Sequence, residues 1–131
     1  MPDRNWTPIT LGEDFPPPVG PYSPAVRAGD LVFVSGQVPR DPRSGKLLGE
    51  TIEDQARGTL VNLKRALEAA GASIEQVVAC TVYLVDENDW ARFNEVYRTV
   101  FSPPYPTRTV VGASLRGVLV EVSAIAYLGT R

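Results

Sequence analysis

PTRTVVGASLRGVLVEVSAIAY, residues 106–127, is the stretch that decides how this chain is read. It divides into two strands. Thr107 to Gly112 is short and β-branched, and Val118 to Leu128 is longer and almost wholly apolar. The second run alternates Val118, Val120, Val122, Ala124 and Ala126 against Leu119, Glu121, Ser123, Ile125 and Tyr127, so both of its faces are rich in apolar groups. Two charges interrupt these runs. Arg108 stands at the mouth of the first strand, just after Pro106, and Glu121 stands mid-strand between Val120 and Val122. A lone buried carboxylate costs roughly several kcal/mol unless it protonates or finds donors. Held on neighbouring strands, the two would make one site: a planar fork for a substrate carboxylate with a proton-transfer group beside it. Two structural alternatives stand next to that reading, a Glu121 on a solvated sheet face or one paired with Arg108 or Arg116.

The segments before this pair supply the rest of an α+β domain. Residues 6–10, WTPIT, read as a short edge strand because of Pro8. FPPPVGPYSPAV, with Pro16, Pro17, Pro18, Pro21 and Pro24, is a stiff extended loop that holds Tyr22 and Ser23 at little entropic cost. Ala25 to Arg27 and Leu31 to Ser35 form a hairpin turning at Ala28-Gly29-Asp30, and Leu31 to Val34 has the continuous apolarity of a central strand. Ser35 and Gly36 end it, and Gly36 permits close backbone approach or positive φ.

PRDPRSGKLLGE, 39–50, is a solvated loop. Thr51 with Asp54 then opens a helix whose Ile52, Ala56, Leu60, Leu63, Leu67 and Ala70 make one apolar stripe, closed by Gly71. Asn62 borders that stripe and needs a backbone partner. Val77 to Leu84 is a strand with both faces covered. A second helix, capped by Asp86 or Asn88, runs to about Phe101. Trp90, Phe93, Tyr97, Val100 and Phe101 form its buried face, with Asn94 beside them. Pro103, Pro104 and Pro106 end it and deliver the chain to Arg108. Helices on one side of the sheet leave the other side too apolar for water, which predicts burial against another subunit.

Composition narrows the chemistry. At 131 residues the chain is one domain, 1–131, burying about two-thirds of its unfolded surface. There is no His and a single Cys, Cys80, which removes His-based catalysis, disulfides and the usual zinc ligand sets. No metal or cofactor is expected, and the glycine patterns of phosphate and dinucleotide loops are absent. Cys80 reads as an inert core residue. Net charge is −2 with no basic stripe, so nucleic acid is not an expected partner. No run is apolar enough to span a membrane, and MPDRNWTPIT does not read as a signal peptide, which makes the cytoplasm the default location.

The segments GPYSPAV (20–26), FVSGQVP (33–39), the helix with Gln55, Asn62 and LEAAG (67–71), VYLVDENDWARFNEVYRTVF (82–101), PTR (106–108) and VEVSAIA (120–126), in this order and spacing, resemble the Rid proteins (the YjgF-type family) of reactive-intermediate imine deaminases. The resemblance implies a chorismate-mutase-like α+β fold, a mixed sheet with two helices on one face. It implies a homotrimer whose sheets pack around a central barrel, with clefts at the subunit interfaces. It also implies hydrolysis of 2-imino acids, such as 2-iminobutanoate or 2-iminopropanoate, to 2-oxo acids and ammonia. By that resemblance Arg108 grips the substrate carboxylate and Glu121 orders the attacking water. Tyr22, Ser35, Gly36 and Asn94 match cleft-lining positions, with Tyr22 and Asn94 contributed by the adjacent subunit. Two positions depart from the pattern: Val110 stands where many members have Cys, and Arg116 where many have Pro. Other readings on the same scaffold are hydrolysis of another enamine or aminoacrylate-type acid, and a non-enzymatic metabolite-binding or chaperone-like role.

Overall fold

The computed structural model describes residues 4–129, so the ends of the domain expected over 1–131 lie outside the described residues. The elements run β1 (Thr7–Ile9), β2 (Ala25–Ala28), β3 (Leu31–Gln37), α1 (Ile52–Ala69), β4 (Val77–Leu84), α2 (Trp90–Val100), β5 (Thr107–Gly112) and β6 (Val120–Tyr127). They form one six-stranded mixed sheet in the order β1-β2-β3-β6-β4-β5. β4 and β5 pair in parallel, which a helical crossover such as α2 permits; the other pairs are antiparallel.

The sequence explains the helices. The Thr51 hydroxyl accepts the Asp54 N–H at 3.1 Å, and Glu53 and Asp54 sit at the positive end of the helix dipole. Ile52, Ala56, Leu60, Leu63 and Leu67 are essentially inaccessible, and burying each of the larger side chains contributes about 1.5–3 kcal/mol. They lie on Val120, Val122, Ala124 and Ala126 of β6, which are buried while the intervening Glu121, Ser123 and Ile125 are half-buried. α1 covers the even-numbered face of β6, and α2 lies on the same side of the sheet against Cys80 of β4 and Arg108 of β5, so both helices share one sheet face as expected. Asn62 Nδ2 donates to Val38 O and Arg40 O, at 2.9 and 2.8 Å, which fastens the loop after β3 to α1, while its buried Oδ1 has no partner among the described residues.

Several expectations need adjusting. The last strand begins at Val120 rather than Val118, because Gln55 Oε1 of α1 accepts the Leu119 N–H at 2.8 Å and draws that residue out of the ladder. Asp86 does cap, but it caps a short 3₁₀ turn over Glu87–Asp89, and α2 starts only at Trp90. Trp90 is 52% exposed and not part of the core. Among the described residues β4 is covered on one face alone. Its opposite face looks outward with Phe33, Val111 and Tyr127, all exposed. No helix among the described residues is long and apolar enough to cross a membrane.

Candidate functional site

Arg108 sits on edge strand β5, paired in parallel with Cys80. Paired residues share a sheet face, so Arg108 lies on the helix side with the buried Cys80. There its Nη2 donates to Asn94 Oδ1 at 2.8 Å. Its guanidinium carbon lies 4.7 Å from the Tyr97 ring centroid and 5.9 Å from those of Trp90 and Phe93. Trp90, Asn94 and Tyr97 recur at helical spacing, which turns all three toward β5. Together with Tyr105 and Pro106 they wall a cleft of about 290 Å³ beside Arg108. Among the described residues no hydrogen-bond acceptor occupies Arg108 Nε or Nη1, and no carboxylate pairs with it. The free edge of the fork is a ready receptor for a planar anion.

Beneath it, the Tyr97 hydroxyl donates to Cys80 Sγ at 3.9 Å, and the Tyr97 ring stacks on Phe101 at 4.4 Å. Burial pushes the Cys80 thiol up to about 11, and burial likewise raises the Tyr97 hydroxyl above its ordinary value. Neither group ionises at neutral pH, so Cys80 is the inert core residue that its surroundings in sequence suggested.

Glu121 is built differently. It lies on β6 opposite Tyr83 of β4, on the sheet face away from the helices. Its carboxylate rests on the backbone of Gly36, where the β3–β6 register shifts between Val34 and Gln37. A Cβ at Gly36 would stand 2.3 Å from Glu121 Oε2, so only glycine admits the carboxylate there. Gly36 was expected to admit a ligand or take positive φ; its φ is not positive, and the group that approaches it is the chain's own acid. Glu121 is half-buried and has no hydrogen-bond or ion-pair partner among the described residues. Burial holds its pKa above the ordinary carboxylate value. Ser35, Gly36 and Tyr22 line a separate groove of about 300 Å³ under the proline-rich loop. Ser35 Oγ donates to Ser23 O at 2.7 Å, which fixes that loop to β3, and Tyr22 is 54% exposed.

The expected residues thus fall into two groups within one protomer: Arg108 with Asn94, and Glu121 with Gly36, next to Ser35 and Tyr22. β5 and β6 are not neighbours, as the sequence reading had them, because β4 lies between. Across β4 the residue level with Arg108 is Ala124, and Glu121 is displaced along the strand and faces the other way. Asn94 binds Arg108 of its own chain, which corrects its expected origin in an adjacent subunit. Arg116 is exposed and forms no ion pair with Glu121. Two contacts were not expected from the sequence, although Gln55 was among the residues that carry the family resemblance. Tyr97 read as core, and Gln55 joins α1 to the start of β6 through its side-chain oxygen, with Nε2 donating to Gly49 O at 3.1 Å. A polar Gln on the buried side of an amphipathic helix was the one available signal for the latter.

Residues 12–128 match the family described as Endoribonuclease L-PSP. A RutC family protein of Pyrococcus horikoshii is 47% identical over 121 residues, covering 91% of this chain and 96% of that protein. The mouse protein named 2-iminobutanoate/2-iminopropanoate deaminase is 42% identical over 116 residues, 87% of this chain and 86% of its own. Among solved structures, RidA from an Antarctic Psychrobacter superposes with a TM-score of 0.82 at 40% identity, covering 92% of this chain and 98% of that one.

Proposed function

This chain belongs to the Endoribonuclease L-PSP family, the Rid (YjgF-type) proteins, and from that premise we propose that it hydrolyses 2-imino acids to 2-oxo acids and ammonia. The observation that carries the reading is the half-occupied Arg108 fork, whose free edge opens on the aromatic cleft. Relatives named for 2-iminobutanoate and 2-iminopropanoate support small aliphatic imino acids as the substrate class.

A 2-imino acid carries a planar carboxylate beside an iminium carbon already open to attack. Arg108 binds the carboxylate through two parallel N–H···O bonds and so fixes the plane of the C=N bond. The Glu121 carboxylate takes one proton from a water as its oxygen adds to the iminium carbon. It then returns that proton to the amine nitrogen. Collapse of the carbinolamine expels ammonia, releases the hydroxyl proton and leaves the 2-oxo acid. The raised proton affinity of Glu121 suits a group that must accept and then give back a proton near neutral pH.

Both groups meet one substrate only if they come from different copies of the chain. The proposal therefore includes a homotrimer in which Arg108 and Asn94 of one protomer face Glu121, Gly36 and Tyr22 of the next. The exposed Phe33, Val111 and Tyr127 on the uncovered sheet face suit such an assembly. A ribonuclease reading has less to support it, since the chain has no His and a net charge of −2.

The test generates 2-iminobutanoate in situ with an amino-acid oxidase and follows its trapping by semicarbazide. Wild type is expected to deplete the trapped species. Arg108→Ala is expected to lose about 10³-fold, from two charge-assisted bonds of about 2 kcal/mol each. Equal depletion by the two proteins would overturn the reading.

A further inference from the structure

We propose that Tyr97 is a positioning residue for Arg108. Its ring holds the guanidinium face-on and leaves the guanidinium edge free for a carboxylate. The carboxylate half of this inference rests on the imino-acid reading above; the platform itself does not.

Three rings lie within reach of the Arg108 cation. Trp90 and Phe93, at 5.9 Å, are at the outer limit of a cation–π contact, and Tyr97, at 4.7 Å, is well inside it. The Tyr97 ring cannot drift. It is 4% exposed, stacked on Phe101 at 4.4 Å with an interplanar angle of 17°, tilted against Phe93 at 5.8 Å, and tied through its hydroxyl to Cys80 Sγ. It is a rigid floor rather than one flexible side chain against another.

The choice of partner has a chemical consequence. A carboxylate neutralising Arg108 would occupy the guanidinium edge, which is where a substrate carboxylate must bind. An aromatic ring stabilises the charge from the face and leaves the in-plane N–H groups unspent. Asn94 Oδ1 takes one of those N–H groups, at Nη2, and sets the rotation of the fork within its plane. Ring and amide then constrain the fork from two sides, beside the cleft that Arg108 lines. Arginine side chains are rotamer-rich, so a fork ordered before binding gives up less freedom when the ligand arrives.

The test replaces position 97 with rings of nearly constant shape and decreasing face charge. Tyr97→Phe keeps the face and loses only the Cys80 contact, so its affinity for 2-oxobutanoate, measured by titration calorimetry, is expected within about twofold of wild type. Site-specific mono-, di- and trifluorinated phenylalanine at 97 is expected to weaken that affinity stepwise, about tenfold in total, with the circular dichroism unchanged. An affinity that stays flat across the series overturns the proposal. A second readout is the Arg108 Nε–Hε NMR resonance of the unliganded protein, expected to be ring-current shifted and slow to exchange. A random-coil position with fast exchange overturns the proposal as well. If wild type does not bind 2-oxobutanoate at all, the imino-acid reading falls, and the NMR resonance alone decides whether Tyr97 is the platform.

Discussion

The β5 edge and the β3–β6 register shift hold the two charges of this site, and they hold them in opposite ways. Arg108 arrives fully furnished: a ring below, an amide at one N–H, an open cleft at the free edge. Glu121 arrives bare, half-desolvated against Gly36 with no donor among the described residues. A cation stabilised within its own chain can wait for a ligand at no cost. An uncompensated carboxylate cannot, since burial penalises its charged form. One region is finished by the fold and the other is left for something outside the protomer to complete.

The sharpest way to break this comparison is complementation. Arg108→Ala and Glu121→Gln proteins, each expected to be at least about 10²-fold slower alone, are co-expressed with distinguishable tags and the mixed oligomers purified. In each mixed trimer one of the three interfaces pairs an intact Arg108 with an intact Glu121, so roughly a third of the wild-type rate returns if each site draws its charges from two copies. No recovery in oligomers verified as mixed would place both charges in one chain and sink the intersubunit site. A smaller effect is expected from Gly36→Ala. The new methyl group displaces the Glu121 carboxylate, so kcat falls about 10- to 100-fold, short of the full contribution of a general base, while 2-oxobutanoate binding at Arg108 is retained. Unchanged kcat would show that the close contact has no part in the chemistry.

The smallest effect is one of stability. The folded pKa of Glu121 lies above its ordinary value of 4.5, so the folded state binds the proton more tightly than the unfolded chain does. Wild type therefore loses stability relative to Glu121→Gln as pH rises from about 4.5 through the folded value, and the two proteins converge below about 4.5. Thermal melts of both proteins across that range check the sign. A Glu121→Gln protein that is less stable than wild type at neutral pH would mean that the carboxylate has a partner after all.

Both catalytic candidates were legible as residues that do not belong where they stand: a cation at the mouth of a β-branched run, a carboxylate inside an apolar one. Their elements were legible too. The strands Thr107–Gly112 and Val77–Leu84 were read with the bounds they have, because alternation and proline punctuation are local signals. The mistakes about how the two charges are placed share one cause. Which strand lies between which, and on which face a residue ends, depends on pairing across the sheet. The parallel insertion of β4 between β5 and β6 separated two residues that are close in sequence.

The sequence by itself therefore determined the elements, the α+β class, the oddly placed charges and the exclusion of histidine chemistry. All of these follow from periodicity and residue type. Only the tertiary structure decided that the Arg108 cation lies over the Tyr97 ring, that Gly36 is a seat for Glu121, and that the two charges turn their backs on each other within one protomer. Those facts depend on register and strand order, which are set by long-range packing free energy, and no local pattern encodes them.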